Sequence, residues 1–198
     1  MLERLPRPAI FAHRGASALA PENTIAAFDL ALEHHADAVE LDVQLTADGH
    51  LVVIHDKSVA RTTGGVGNVN TMHLEEIKAL DAGSSFDARF RGEPVPTLEE
   101  VFERYRGKIY INVELKNETS PWNDLPDRVV QIVDCFNVGD QVLISSFNPV
   151  AILRVRRLNP DIPIAALAYR SWIGEPVRRL AGNPFRTEAL HVDRRDVT

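Results

Sequence analysis

Cysteine is almost absent from this chain: Cys135 is the only one in 198 residues. A lone thiol excludes an internal disulfide and cannot build a cysteine zinc cage. It falls in the helix-period run RVVQIVDCF, where a buried core thiol is expected rather than a nucleophile. Basic charge is not in excess either. With 22 basic against 28 acidic residues the formal charge is -6, which gives no footprint for nucleic acid. No run approaches the roughly 18 apolar residues that span a bilayer, and the opening MLERLPRPAIFAHRG lacks the pattern of a secretory signal. A soluble, cytoplasmic protein without a membrane span is expected. No GxGxxG follows the first apolar run, so a dinucleotide fold gains no support. The stretch Gly64–Gly67 lacks the Gly-Lys-Ser/Thr of a phosphate loop and reads as a flexible bend.

What is present is an alternation of two periods. Strand-like runs lie at 9–14, 37–46, 51–56, 108–116, 141–147, 162–169 and 188–193. Between them run helical patterns: ENTIAAFDLALEHH, LEEIKAL, TLEEVFERY, LPDRVVQIVDCF, PVAILRVRRL and EPVRRLA. This order predicts an α/β fold with a parallel sheet. Seven strand patterns with helices between most of them favour a TIM-type (β/α)8 barrel over an open sheet. The second and third strands are joined by only four residues (47–50), too few for a helix. Residues 57–96 exceed a normal connection and read as a small insertion after the third strand, over one end of the sheet, within a single domain spanning 1–198. No eighth unit follows the seventh strand pattern. A seven-stranded remainder would expose two edges, so the chain is expected to be a fragment or to be completed by another chain, which leaves a homo-oligomer open.

The strands carry charge where apolar residues should dominate. AVELDV places Glu40 and Asp42 on one face, with Val39, Leu41 and Val43 opposite; YINVELK does the same with Glu114 and Lys116. Three carboxylates converging in a partly dry interior would repel and protonate unless a cation compensates, and a divalent metal with oxygen ligands answers this. His13, Arg14, His55 and Asp56 also lie near strand ends. In a parallel barrel those ends share one mouth, where active sites form. Two histidines beside a metal and two cations suit phosphoryl chemistry, the cations stabilising charge on phosphate oxygens and the histidines moving protons near neutral pH.

The segments AHRGASALAPENTIAAF (12–28), VELDVQLTADGHLVVIHD (39–56), RTTGGVG (61–67), VPTLEEV (95–101), INVELK (111–116) and SSFNP (145–149) appear in order along nearly the whole chain. Together they resemble the glycerophosphodiester phosphodiesterase family, whose barrel is of the phosphatidylinositol phospholipase C type. The resemblance implies metal ligation by Glu40, Asp42 and Glu114, with magnesium or calcium as the ion. It makes His13 and His55 the acid/base pair and Arg14 and Lys116 the phosphate-binding cations. The implied reaction is hydrolysis of a small-molecule glycerophosphodiester to glycerol 3-phosphate and an alcohol. His13 would take a proton from the nucleophile, water or the substrate's own hydroxyl, and His55 would protonate the leaving alkoxide. The family's eighth strand, with an aromatic residue bordering the substrate, has no counterpart here.

Structural roles compete for several residues. Asn23 or Thr24 is expected to cap the first helix, with Glu22 a weaker candidate for the site. His34 and His35 read as surface residues, and Arg154, Arg156 and Arg157 as mostly a solvated helix face. Phe147 is expected either to line the substrate pocket or to pack. Two other function classes also use such features. A metal-dependent lyase barrel would share the carboxylates but would not need paired histidines beside phosphate-binding cations. A truncated barrel could bind phosphodiesters without cutting them.

Overall fold

The structure is a computed structural model, which describes residues 2–168 and 187–192. The expected helix EPVRRLA and the ends of the last two strand patterns lie outside the described residues. The described strands are β1 (Phe11–His13), β2 (Ala38–Leu45), β3 (Leu51–Val53), β4 (Tyr110–Leu115), β5 (Val142–Ser146), β6 (Ile164–Ala168) and β7 (Ala189–Val192). They form one sheet in the order β1-β2-β4-β5-β6-β7, with β3 paired to β2 off that path. All the neighbours on the path are parallel. The helices are α1 (Ile25–Glu33), α2 (Ala60–Thr63), α3 (Leu74–Lys78), α4 (Leu98–Tyr105), α5 (Leu125–Phe136) and α6 (Pro149–Leu158). This is the strand–helix succession of a TIM-type α/β fold.

Period-two alternation divides the sheet into two unlike faces. Val39, Leu41 and Val43 of β2, Ile111, Val113 and Leu115 of β4, and Val142 and Ile144 of β5 join one apolar cluster with Phe28, Phe102, Val129 and Ile152 from the helices. The residues between them, Glu40, Asp42, Gln44, Asn112, Glu114 and Ser145, are buried on the other face and are polar. Register aligns them in rows: Glu40 lies opposite His13 and Asn112, and Asp42 opposite Glu114, which in turn faces Ser145.

Local chemistry fixes where the helices begin. Thr24 accepts from the Ala27 amide at the start of α1. Thr97 and Glu100 form a reciprocal capping box on α4, and Asn148 accepts from the Val150 amide at α6. Each satisfies amides that have no partner within their own helix.

Three expectations are corrected. β3 is antiparallel to β2, because the short connection between Leu45 and Leu51 can close a hairpin but cannot carry a parallel crossover. Cys135 is exposed. The buried stripe of α5 runs through Leu125, Val129, Val130 and Val133, and Cys135 lies about 200° around the helix from Val133 at 3.6 residues per turn. Nor are all the arginines of α6 simply solvated: Arg154 pairs with Asp127 at 2.6 Å, and Arg156 with Glu188 at 2.7 Å.

Phe102 is fully buried, its ring edge-on to that of Phe136. Phe102→Ala should cost about 3–5 kcal/mol, read as a lower denaturant midpoint with an unchanged slope.

Candidate active site

β2 is long and passes beyond its neighbours. β1 ends at His13, level with Glu40, and β4 ends at Leu115, level with Val43. The hairpin then turns the chain back, and the Ile54 amide donates to the Asp42 carbonyl at 2.9 Å. His55 therefore arrives at the row of Asp42 from the opposite direction to the other strands. Gln44, on the same face as Glu40 and Asp42, fixes the returning segment. Its Nε2 donates to the carbonyls of Ile54, His55 and Asp56 at 2.9, 3.0 and 2.8 Å.

After β1 the chain makes a turn in which Arg14 and Gly15 both have positive φ, 57° and 79°. A side chain on Gly15 would bring its Cβ within 2.7 Å of the Ala27 Cβ, so the turn requires glycine there. The geometry aims the Arg14 amide at Glu40 Oε2 (3.0 Å). Its guanidinium places Nε 3.3 Å from Asp42 Oδ2 and Nη1 2.9 Å from Glu22 Oε1. Asn23, another positive-φ residue, donates from Nδ2 to Asp42 Oδ2 at 2.9 Å. It is Thr24, not Asn23, that caps the helix; Asn23 instead orients a carboxylate.

Glu40, Asp42 and Glu114 each present an oxygen within 4.8 Å of the other two, and all three are buried. Among the described residues, Glu40 Oε1 and Asp42 Oδ1 have no hydrogen-bond partner. Burial, and then the charges of Asp42 and Glu114, push the Glu40 carboxyl up to about 8. Burial raises Glu114 as well, against the Lys116 ammonium, whose Nζ lies 2.7 Å from Glu114 Oε1. Burial opposes charge on Lys116, but Glu114 outweighs it and raises the pKa. Buried oxygens without donors, on carboxyls that resist ionising together, fit a hard divalent cation with oxygen ligands.

The two histidines differ. The His13 imidazole is 68 % exposed, with Nε2 3.8 Å from Glu40 Oε2. The protein atoms beneath it, and then the Arg14 charge, hold its pKa below 6.5. His55 is more enclosed, and its Nδ1 lies 2.6 Å from Asp56 Oδ1. The Asp56 carboxyl is lowered to about 2, chiefly by its hydrogen bond from Arg61. Phe147 follows β5, with its ring centre 5.8 Å from Lys116 Nζ.

Residues 13–192 match the model of the glycerophosphoryl diester phosphodiesterase family. The chain belongs to this family. It is 46 % identical over 168 residues to a glycerophosphodiester phosphodiesterase of Caldanaerobacter subterraneus subsp. tengcongensis, covering 84 % of this chain and 69 % of that protein. It matches the crystal structure of a glycerophosphodiester phosphodiesterase from Agrobacterium tumefaciens at 35 % identity and a TM-score of 0.81, over 93 % of this chain and 75 % of the other. An Oleispira antarctica phosphodiesterase in complex with the product sn-glycerol-3-phosphate matches at 32 % identity and a TM-score of 0.85, over 96 % of this chain and 76 % of the other. The chain spans about two thirds of the length of the curated relatives it matches, 69 % of the first and 65 % of the next three.

For this member of the family, the residues named from sequence fall into one neighbourhood around β1, β2, β4 and the chain after β3 and β5. Three others gain a place there. Gln44 has the same strand parity as Asp42, which was the available signal. Asn23 carried a stronger signal as a helix cap. Arg61 lay within RTTGGVG with nothing to show what it faces. Glu22, the weaker candidate, links Arg14 to Arg61.

Glu40→Gln tests the electrostatics. Glu40 has a folded-state pKa above its ordinary value of 4.5, so its destabilising effect is absent below about pH 4.5 and grows as pH rises toward 8. The metal-free variant should therefore melt several degrees above the wild type at pH 8 and close to it near pH 4. Calorimetric titration with magnesium or calcium should show at least a ~10-fold loss of affinity.

Proposed function

We propose that this chain hydrolyses glycerophosphodiesters to glycerol 3-phosphate and an alcohol, with Glu40, Asp42 and Glu114 holding magnesium or calcium. The observation that carries this reading is the juxtaposition of three buried carboxylates, two of them with unpartnered oxygens, with His13, His55, Arg14 and Lys116. Membership of the family and the named activity of its relatives support it. The bound cation would supply charge stabilisation at the phosphate oxygens.

The side chains divide the remaining work. Arg14 and Lys116 are fixed by carboxylates at 2.9 and 2.7 Å, so their positive charge is held in place before substrate arrives. His13, exposed and with a lowered pKa, is neutral at pH 7 and able to accept a proton. It takes that proton from water or from the substrate's glycerol hydroxyl as the oxygen attacks phosphorus. His55 in its protonated form gives a proton to the departing alkoxide as the P–O bond breaks. An ionised Asp56 can only accept, so His55 Nδ1 carries a hydrogen and Nε2 is left for the leaving oxygen. Phe147 beside Lys116 borders the glycerol moiety. None of these groups addresses the alcohol, so broad tolerance of the leaving group is expected.

The test is release of glycerol 3-phosphate from glycerophosphocholine and glycerophosphoethanolamine, with magnesium, with calcium and with EDTA. Metal-dependent release from both substrates is expected. No release by the folded chain would favour a barrel that binds phosphodiesters without cutting them. His55→Ala should lower kcat by about 10²–10⁴ while leaving calorimetric metal affinity within about twofold. A parallel loss of metal affinity would remove His55 from the acid role.

A further inference from the structure

We propose that Arg61 is a positioning residue for this reaction: it fixes the Asp56 carboxylate that orients His55, and anchors that pair to Glu22 beside Arg14. The inference rests on the functional reading above, and adds to it a residue outside the metal site and the acid/base pair.

Arg61 lies on α2, in the segment between β3 and α4. This segment has its own apolar cluster, in which Val59, Val69, Ile77, Ala82 and Val95 pack with Val52 and Ile54 of the returning hairpin. The helix is a single turn, ended by Gly64 in the left-handed conformation. The bridge between Ser58 and Asn68 and the hydrogen bond from the Val69 amide to the Lys57 carbonyl close the loop behind it. RTTGGVG thus presents Arg61 from a single helical turn whose loop is closed by backbone contacts.

The contacts of Arg61 are directional. Nε donates to Asp56 Oδ2 at 2.6 Å, while Nη1 and Nη2 donate to Glu22 Oε2 and Oε1, both at 2.8 Å. Asp56 uses its other oxygen on His55 Nδ1. With both oxygens held, the carboxylate plane is set, and with it the imidazole ring. The guanidinium also keeps Asp56 ionised, which fixes the tautomer of His55. From Glu22 the chain of contacts continues to Arg14, whose amide holds Glu40. The network joins the loop carrying His55 to the turn carrying Arg14. Such two-pronged, charge-assisted contacts restrict geometry far more than single ion pairs do.

A direct role on phosphate fits less well. The guanidinium fork is taken up by Glu22 and its remaining edge by Asp56, so two carboxylates already balance its charge. Arg61 therefore acts through Asp56.

The test is a double-mutant cycle with Arg61→Gln and Asp56→Asn in the whole chain, with glycerophosphoethanolamine and metal. Arg61→Gln should lower kcat about 10–100-fold, as expected for loss of about 1 Å of positioning, with KM within about twofold. In the Asp56→Asn background the same change should lower kcat no more than about twofold further. Arg61→Lys, which keeps the charge without the fork, should fall between wild type and Gln. A tenfold rise in KM at unchanged kcat would make Arg61 a substrate contact and overturn the proposal. Multiplicative losses in the double variant, or no loss in the single one, would also overturn it.

A second arm needs no turnover. In the metal-free chain, proton–nitrogen NMR should show a hydrogen-bonded His55 Nδ1–H, absent in His55→Ala and lost or broadened in Arg61→Gln. An unchanged signal in folded Arg61→Gln would overturn the proposal. An inactive wild type would sink the hydrolase reading, and this arm would still judge Arg61.

Discussion

Mutual repulsion among three buried carboxylates is the constraint around which the site is arranged. Glu40 and Asp42 project from the same face of β2, with Glu114 beside Asp42 on β4. Burial makes each charge costly, and the others make it costlier. The surrounding groups offset this strain at particular atoms. The Arg14 amide serves one oxygen of Glu40, Asn23 and the Arg14 guanidinium face one oxygen of Asp42, and Lys116 pairs with Glu114. The oxygens left over, Glu40 Oε1 and Asp42 Oδ1, have no donor among the described residues. A site that satisfies one oxygen of Glu40 and of Asp42 and leaves the other bare is suited to a cation.

The fold supplies that arrangement by division of labour between the faces of the sheet. The apolar face packs against α1, α4, α5 and α6 and contributes most of the burial energy, at about 25 cal/mol per Å² of apolar surface removed from water. This burial lets the opposite face carry polar residues at a density no core would tolerate. The same strands serve both ends, so a shift of register by one residue would exchange the acids with the valines. Stability and site geometry are therefore set by the same hydrogen-bond ladder.

The segment after β3 provides a second, smaller core and a reason for its presence. By packing on the hairpin it holds His55 near the row of Asp42, while Gln44 clasps the backbone from below. Glu22 and Arg61 then tie this segment to the turn after β1. Two regions distant in sequence are thereby joined through the Glu22 carboxylate, which pairs with Arg14 on one side and Arg61 on the other.

Period and parity already determined much of this protein. Alternation placed Glu40 with Asp42 and Glu114 with Lys116, because a strand shows successive residues to opposite sides whatever surrounds it. The order of strand and helix patterns marked the α/β class for the same local reason, and motif order carried the family. Tertiary structure decided what depends on approach from elsewhere. The direction of β3 and the exposure of Cys135 were open to the sequence, through the short connection before β3 and the helical period of α5, but the pairing of β3 with β2 alone among the described strands is a tertiary fact. Asn23, read as a cap, and Arg61, noted only within the motif RTTGGVG, meet carboxylates 19 and 5 residues away in sequence. Arg61 meets its other partner, Glu22, at a separation of 39. Hydrogen bonds of this kind leave no periodic trace in the chain, since only folding brings donor and acceptor together.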